Sequence, residues 1–266
     1  MSTPSTPQRA SISAFIVCHN EEKQIRRCLE SVRWCDEIVI VDSGSTDSTL
    51  TICKEFTGRI FHRDWTGYVE QKSYGLLQCT SEWVVNLDAD EEVSPGLRDQ
   101  ILDALVKDRA SAENGNRING YFISRVVFFL NRYWKKGGWY PEYRLRVCRR
   151  SATLWGGVDP HEKAIVSGKT GKLNGDLFHY TYSSFTDQVR RINTLSSNAA
   201  VTLHKRGAKA KITDIAIRPF FRVFKFYFLK RGYREGIPGF IVAWLEGLQV
   251  MLKYVKLWEM EKIRGE

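Results

Sequence analysis

Residues 37–49 read EIVIVDSGSTDST, and their order decides the fold. Residues 37–41 (EIVIV) have the pattern of a strand covered on both faces. The run stops at Asp42, and Ser43-Gly44-Ser45-Thr46-Asp47 is turn chemistry leading into a helix predicted over 48–56. Upstream, residues 12–18 (ISAFIVC) are a second such run, followed by helical spacing over 21–33 that puts Ile25, Leu29 and Val32 on one stripe. Downstream come a short strand at 59–62, a helix at 68–79 and a strand at 83–87 (WVVNL) ending at Asp88. A helix then runs from Pro95 to about residue 106, with Ser94 as its N-cap. Strand alternating with helix implies right-handed crossovers and a mainly parallel sheet flanked by helices, the Rossmann-like α/β class. Ligands of such sheets bind beyond the carboxyl ends of the strands. His19, Asp42 and Asp88 all stand at such ends.

The alternation stops after Lys107. Residues 109–119 (RASAENGNRIN) read as a polar connector, and 121–130 and 143–148 as strands of a mixed or antiparallel extension. A long helix is predicted over 183–205, with Phe185, Val189, Ile192, Leu195 and Leu203 on one side. Further helix covers 212–230, broken or restarted at Pro219, and 237–261. The expected organisation is a disordered leader at 1–10 and an α/β domain at 11–182. Within it, the alternating half spans about 11–107 and the mixed half about 108–182. A basic helical extension follows at 183–266.

The chain has 266 residues, 43% hydrophobic and 26% charged, which suits a soluble globular protein with one sizeable core. Its net charge of +10 is concentrated: residues 201–266 hold 14 Lys and Arg against 6 Asp and Glu. Six scattered cysteines without a CxxC pair argue against a disulfide framework and for a reducing cytoplasm. MSTPSTPQRA lacks the apolar core of a secretory signal, and no apolar run reaches the roughly 18 residues of a spanning helix.

Chemistry concentrates at Asn86-Leu87-Asp88-Ala89-Asp90-Glu91-Glu92. Two carboxylates one residue apart at a strand end can hold a hard divalent cation, Mg²⁺ or Mn²⁺. That ion would grip the phosphates of a nucleotide sugar and offset charge on the departing diphosphate. Such an acidic turn is also common as a solvated loop. Asp42 is placed to accept a hydrogen bond from a base or ribose, and the turn after it equally supplies a helix cap.

Together with Cys18-His19-Asn20-Glu21-Glu22, Gln71-Lys72 and VDSGSTDST, these residues resemble, in order over about 12–107, the family-2 inverting glycosyltransferases of the GT-A fold. Within that family the chain is most similar to bacterial lipopolysaccharide-core β-glucosyltransferases. The segments Trp139-Tyr140-Pro141-Glu142-Tyr143-Arg144-Leu145-Arg146 and Val158-Asp159-Pro160-His161-Glu162-Lys163 resemble theirs too. The resemblance implies that Asn20, Glu21, Asp42, Lys72 and Asp88 bind the donor nucleotide and that Asp90 binds the metal. The implied donor is a nucleotide-diphosphate sugar such as UDP-glucose, and the implied acceptor a cell-surface glycolipid such as lipopolysaccharide inner core.

Inversion also requires a carboxylate base. The Glu-Asp pair that many family members carry after their acidic motif has no obvious counterpart here. Glu162 is the preferred candidate, with Asp159 and Glu142 as competitors and His161 as a further metal or diphosphate ligand. Trp139 and Tyr140 suit sugar stacking and core packing equally, and His179-Tyr180 gives no firm role. Residues 218–234 (RPFFRVFKFYFLKRGYR) interleave basic and aromatic residues, as do helices that lie on anionic membranes. The expected location is therefore the cytoplasm, peripheral on the inner face of the cytoplasmic membrane, with no nucleic-acid partner. Competing readings are a different glycan or protein acceptor, or a basic membrane- or nucleic-acid-binding module. The first turn lacks the glycines of a nucleotidyltransferase or a dinucleotide oxidoreductase.

Overall fold

The computed structural model describes residues 9–111, 117–157 and 162–263. Asp159, His161 and the leader up to residue 8 lie outside the described residues. By its internal contacts the chain forms two compact units, Met1–Arg125 with Glu142–Tyr180, and Val126–Pro141 with Thr181–Glu266.

The first unit opens with β1 (Ile12–Cys18), α1 (Ile25–Ser31), β2 (Glu37–Asp42), α2 (Thr49–Lys54), β3 (Ile60–His62), α3 (Tyr68–Gln78) and β4 (Trp83–Asp88). It continues with β5 (Glu91–Val93), α4 (Pro95–Ser111), β6 (Ile118–Phe129, whose residues from Val126 on count with the second unit), β8 (Glu142–Arg149), β9 (Thr153–Gly156), β10 (Lys163–Val166) and β11 (Lys169–His179), while β7 (Arg132–Tyr133) belongs to the second unit. The main sheet has the order β3-β2-β1-β4-β8-β6-β11-β5. The strands β3, β2, β1 and β4 are parallel, as the alternation of strand and helix requires. Beyond β4 the pairings β4–β8, β8–β6 and β11–β5 are antiparallel.

Burial explains the first half. Every residue of β1 except Val17 is buried, because helices cover both faces. Ile12, Ala14 and Ile16 face one way, onto Ile25 and Leu29 of α1, Val32 at its C-cap, and Leu97, Ile101 and Leu105 of α4. Phe15 faces the other way, onto Leu76 of α3 and Trp155 of β9. Each such large apolar side chain contributes about 1.5–3 kcal/mol through burial. Ser94 caps α4 as expected, its Oγ accepting from Leu97 N at 3.2 Å. All six cysteines are unpaired thiols and five are buried.

Three expectations need correction. The polar connector begins later than predicted, because α4 continues to Ser111. The short or polar strands β5, β9, β10 and β11 lack a continuous apolar run and were not anticipated. Finally, Val126–Pro141 packs with the C-terminal helices rather than within the sheet unit.

In the second unit, α5 (Phe185–Lys205), α6 (Ile212–Ala216), α7 (Arg218–Phe224), a π-helical turn (Lys225–Leu229) and α8 (Gly236–Ile263) follow one another. Pro219 sits in the first turn of α7, where its missing N–H costs no helical hydrogen bond, so the chain restarts there. The core holds Phe129, Trp134, Phe226, Val242 and Ala243. Trp139 joins it, 5.2 Å from Trp134 and 5.7 Å from Tyr182 between ring centroids, with its Nε1 donating to Glu246 at 2.9 Å. Packing therefore accounts for Trp139. Gly137 has φ +81, and a Cβ there would come within 2.5 Å of the Phe226 ring, so this turn admits only glycine. The buried face of α5 is Gln188, Ile192, Ser196 and Ala200; of the predicted stripe Ile192 is buried and Leu203 half-buried, while Phe185, Val189 and Leu195 are exposed. Among the described residues no helix is long and apolar enough to cross a membrane.

Candidate active site at the carboxyl ends of the strands

Parallel pairing brings the predicted residues to one rim. In register, Cys18 of β1 lies beside Asp42 of β2, and Val17 beside Asp88 of β4. The loops that leave β1 and β2 are laced together. Asn20 turns the chain at φ 55, its N–H donates to Ser45 Oγ at 2.9 Å, and its Oδ1 accepts from Thr46 N at 2.7 Å. Glu21 N donates to Thr49 Oγ1 at 2.8 Å, Glu22 N to Asp47 Oδ2 at 3.2 Å, and Ser48 N to Glu22 Oε2 at 3.1 Å. Asp42 is buried at the root of this lacing, accepting from Gly44 N at 2.9 Å, Ser45 N at 3.0 Å and Ser45 Oγ. Its carboxylate shapes the turn, while Asn20 stands exposed on it.

At the end of β4 the carboxylates meet cations, of which the sequence reading had assigned only Lys72. Lys72, on α3, is buried, and its Nζ reaches Asp88 Oδ1 at 2.9 Å and Glu162 Oε1 at 2.8 Å, with the Trp155 ring 5.0 Å away. An ordinary solvated helix lysine is thereby ruled out. The other oxygen of Asp88 accepts from Arg146 Nη2 at 2.6 Å. Arg146 also donates to Glu91 Oε1 at 2.6 Å and to Asn86 Oδ1 at 3.1 Å, and Glu91 accepts from the Asp88 N–H at 3.0 Å. Arg125 continues the chain, 3.3 Å from Glu91 and 2.7 Å from Glu142, which Arg144 also contacts. Burial works against the charge on Asp88, and Arg146 and then Lys72 overcome it, holding the carboxyl well below its usual range. The side chain of Asp88 is still 36% exposed, so a face of it is open to a ligand.

Asp90 lies two residues on, in the turn between β4 and β5. Antiparallel pairing of β5 with β11 sets His179 opposite Glu91, and this brings His179 Nε2 to 3.3 Å from Asp90 Oδ2. Burial opposes the Asp90 charge, and the His179 contact reverses that effect and lowers the carboxyl's pKa. Tyr180 N donates to Asp90 O at 2.9 Å, and Tyr180 OH to Glu92 Oε2 at 2.6 Å.

A divalent cation suits this donor set. Asp90 offers a hard carboxylate oxygen and His179 an imidazole, a pair that Mn²⁺ accepts readily. Among the described residues no group of three His, Cys, Asp or Glu side chains could hold a metal unaided, so a cation here needs ligands from a diphosphate or water. The charge balance points the same way. Lys72, Arg125, Arg144 and Arg146 stand against Asp88, Asp90, Glu91, Glu142 and Glu162, four cations to five carboxylates. A diphosphate arriving there requires added positive charge. Both oxygens of Asp88 are already engaged by cations, so Asp90 is the carboxylate suited to a metal.

Of the predicted residues, Lys72, Asp88 and Glu162 meet directly, with Asp90 close by along the chain. Glu142 is a member of the network but is clasped between Arg125 and Arg144. Arg146, Arg125 and Glu91 were missed as site residues. The even spacing of Glu142, Arg144 and Arg146 on one strand was the available signal, since alternate residues share a face.

The family model of glycosyl transferase family 2 matches residues 13–157. The lipopolysaccharide core biosynthesis glycosyltransferase LpsC of Rhizobium meliloti is 29% identical over 261 residues, covering 96% of this chain and 94% of that protein. An uncharacterized glycosyltransferase of Rickettsia typhi is 30% identical over 260 residues, covering 94% and 87%. Among solved structures, that of Staphylococcus aureus TarS residues 1–349 aligns over 96% of this chain and 92% of its own at 14% identity, with a TM-score of 0.44.

Proposed function

Because the chain belongs to glycosyl transferase family 2, we propose that it moves a sugar, with inversion, from a nucleotide-diphosphate donor to a bacterial cell-surface glycolipid. UDP-glucose is the proposed donor and lipopolysaccharide inner core the proposed acceptor, in keeping with the likeness to LpsC. The observation that carries the reading is the Lys72 bridge, one ammonium shared by Asp88 at the end of the fourth strand and Glu162.

In this reading the laced turns at Asn20–Glu21 and Asp42 form the floor under the nucleoside. Asp88, oriented by Lys72 and Arg146, accepts a hydrogen bond from a donor hydroxyl on its open face. Lys72 lies within reach of the diphosphate as a point charge. Glu162 takes the proton of the acceptor hydroxyl as that oxygen attacks the anomeric carbon. The new carbon–oxygen bond forms while the bond to the diphosphate breaks, and the electron pair leaves with the nucleoside diphosphate. Asp90 and His179 would hold Mg²⁺ or Mn²⁺, with His161 as a further ligand; such an ion supplies Lewis-acid stabilisation of the leaving diphosphate. A cytoplasmic enzyme resting on the inner face of the membrane would meet such an acceptor.

The test is a thermal-shift panel of UDP-, GDP- and TDP-sugars with Mn²⁺, run on the wild type and on Asp90→Ala. A shift specific to one donor and absent in the variant is expected. No shift with any nucleotide sugar, with or without metal, would refute the reading.

A further inference from the structure

The helices of the second unit carry an aromatic surface that the catalytic reading does not use. Starting from Phe224, ring centroids follow one another at 5.2 Å to Phe228, 5.1 Å to Tyr227, 5.9 Å to Phe240, 6.2 Å to Trp244 and 6.1 Å to Phe220. Phe220 and Phe224 are one helical turn apart on α7, so the arc closes into a ring built by α7, the π-helical turn and the first half of α8. Tyr227 is half-buried, and the other five members are 46–63% exposed. A contiguous exposed patch of this kind marks an interaction site.

Charge decides the partner. Residues 217–244 contain six Lys and Arg and one acidic residue, Glu235. Arg218 is paired with Asp214, and Arg222 with Glu246. Lys225, Lys230, Arg231 and Arg234 are exposed and form no ion pair among the described residues. A second copy of the same face would oppose these cations to one another, which disfavours a symmetric dimer. For nucleic acid, bases need open ring faces on which to stack. Four of the five ring contacts here are instead edge-on, at 87°, 82°, 69° and 84°. Interleaved exposed Phe and Trp with unpaired Lys and Arg match the headgroup zone of an anionic bilayer.

We propose that the aromatic ring of Phe220, Phe224, Tyr227, Phe228, Phe240 and Trp244 inserts into the headgroup region of an anionic lipid surface, with Lys225, Lys230, Arg231 and Arg234 pairing with lipid phosphates. That the lipid surface also carries the acceptor rests on the transferase reading; the docking itself does not.

The experiment is co-sedimentation of the full chain with phosphatidylcholine vesicles and with vesicles of equal parts phosphatidylcholine and phosphatidylglycerol, at low and high salt. The wild type should bind the anionic vesicles about tenfold or more tightly than the neutral ones and lose that preference in high salt. The double variants Phe224→Ser/Trp244→Ser and Lys225→Gln/Lys230→Gln should each weaken binding about tenfold or more, with helical circular dichroism retained. The lysine pair is exposed and keeps the test decisive if the aromatic pair misfolds. Equal binding by wild type and lysine variant, or no binding to anionic vesicles, overturns the proposal. So does a dimer in sedimentation that Phe224→Ser/Trp244→Ser dissolves, or displacement from vesicles by a single-stranded oligonucleotide. Nucleotide-sugar binding, measured on the same samples, should be unchanged by either variant. Its absence from the wild type would count against the transferase reading and leave the lipid result standing.

Discussion

The ammonium of Lys72 and the carboxylate of Glu162, ninety residues apart in sequence, meet at 2.8 Å, with Asp88 Oδ1 2.9 Å from the same ammonium. If Glu162 is the base, this contact orients it, and removing its charge should reduce turnover more than donor binding. Glu162→Gln should lower kcat by about 10²–10⁴-fold and leave nucleotide-sugar affinity nearly unchanged. Steady-state kinetics beside calorimetric donor titration separate the two effects. A large kcat loss from Glu142→Gln, with Glu162→Gln near wild type, would move the role to Glu142.

Arg146 carries the structural burden of the site. It is almost fully buried and is shared by Asp88 and the buried Glu91. Truncating it leaves Glu91 with the Asp88 N–H and, as its cation among the described residues, the more distant Arg125 at 3.3 Å. Arg146→Met should destabilise the fold by about 3–5 kcal/mol, the usual result of removing one partner from a buried ion pair. Urea unfolding would measure this, and a loss below about 1 kcal/mol would mean that the pair behaves as a surface bridge.

The pH dependence follows from Asp88. Its carboxyl is held below the ordinary 3.8 when folded, by Arg146 and Lys72 working against burial. Folded protein therefore binds this proton less readily than unfolded protein does. The stabilisation is fully present above the ordinary carboxylate pKa and disappears as falling pH titrates the folded group. Chemical unfolding in EDTA between pH 6 and pH 3 should show the wild type losing stability more steeply than Asp88→Asn. Parallel curves would refute the assignment.

For the cation, Asp90 and His179 should act together. With a nucleotide diphosphate present, Asp90→Ala or His179→Ala should weaken Mn²⁺ binding by about tenfold or more, read by the paramagnetic resonance of free Mn²⁺. The double variant should lose little beyond either single one if both touch the same ion. Unaltered Mn²⁺ binding in His179→Ala would restrict the protein's contribution to Asp90.

The parallel half was legible because β1, β2 and β4 are covered on both faces, which leaves unbroken apolar runs ending in a polar residue. The antiparallel half was not. β11 reads KTGKLNGDLFH, where only Leu173, Leu177 and His179 are buried and two lysines and two glycines resemble a loop. Legibility of the site follows the same division. Asp42, Asp88 and Asp90 could be read because they end or follow a visible strand. His179 reaches the site through the pairing of β11 with β5, which no local pattern announces, and Arg146 through β8, where the spacing of Glu142, Arg144 and Arg146 was the one cue. Lys72 was named through family resemblance, but its burial depends on Trp155 of β9, a strand that was also missed.

The lacing of residues 20–22 to residues 45–49 has a consequence for how this chain can vary. Each loop supplies both donors and acceptors to the other: Asn20 to Thr46, Ser45 to Asn20, Glu22 to Ser48 and Asp47 to Glu22. Neither can drift alone without stranding a backbone N–H in its neighbour. The two loops thus form a single structural unit, and a graft between relatives has to carry both or neither.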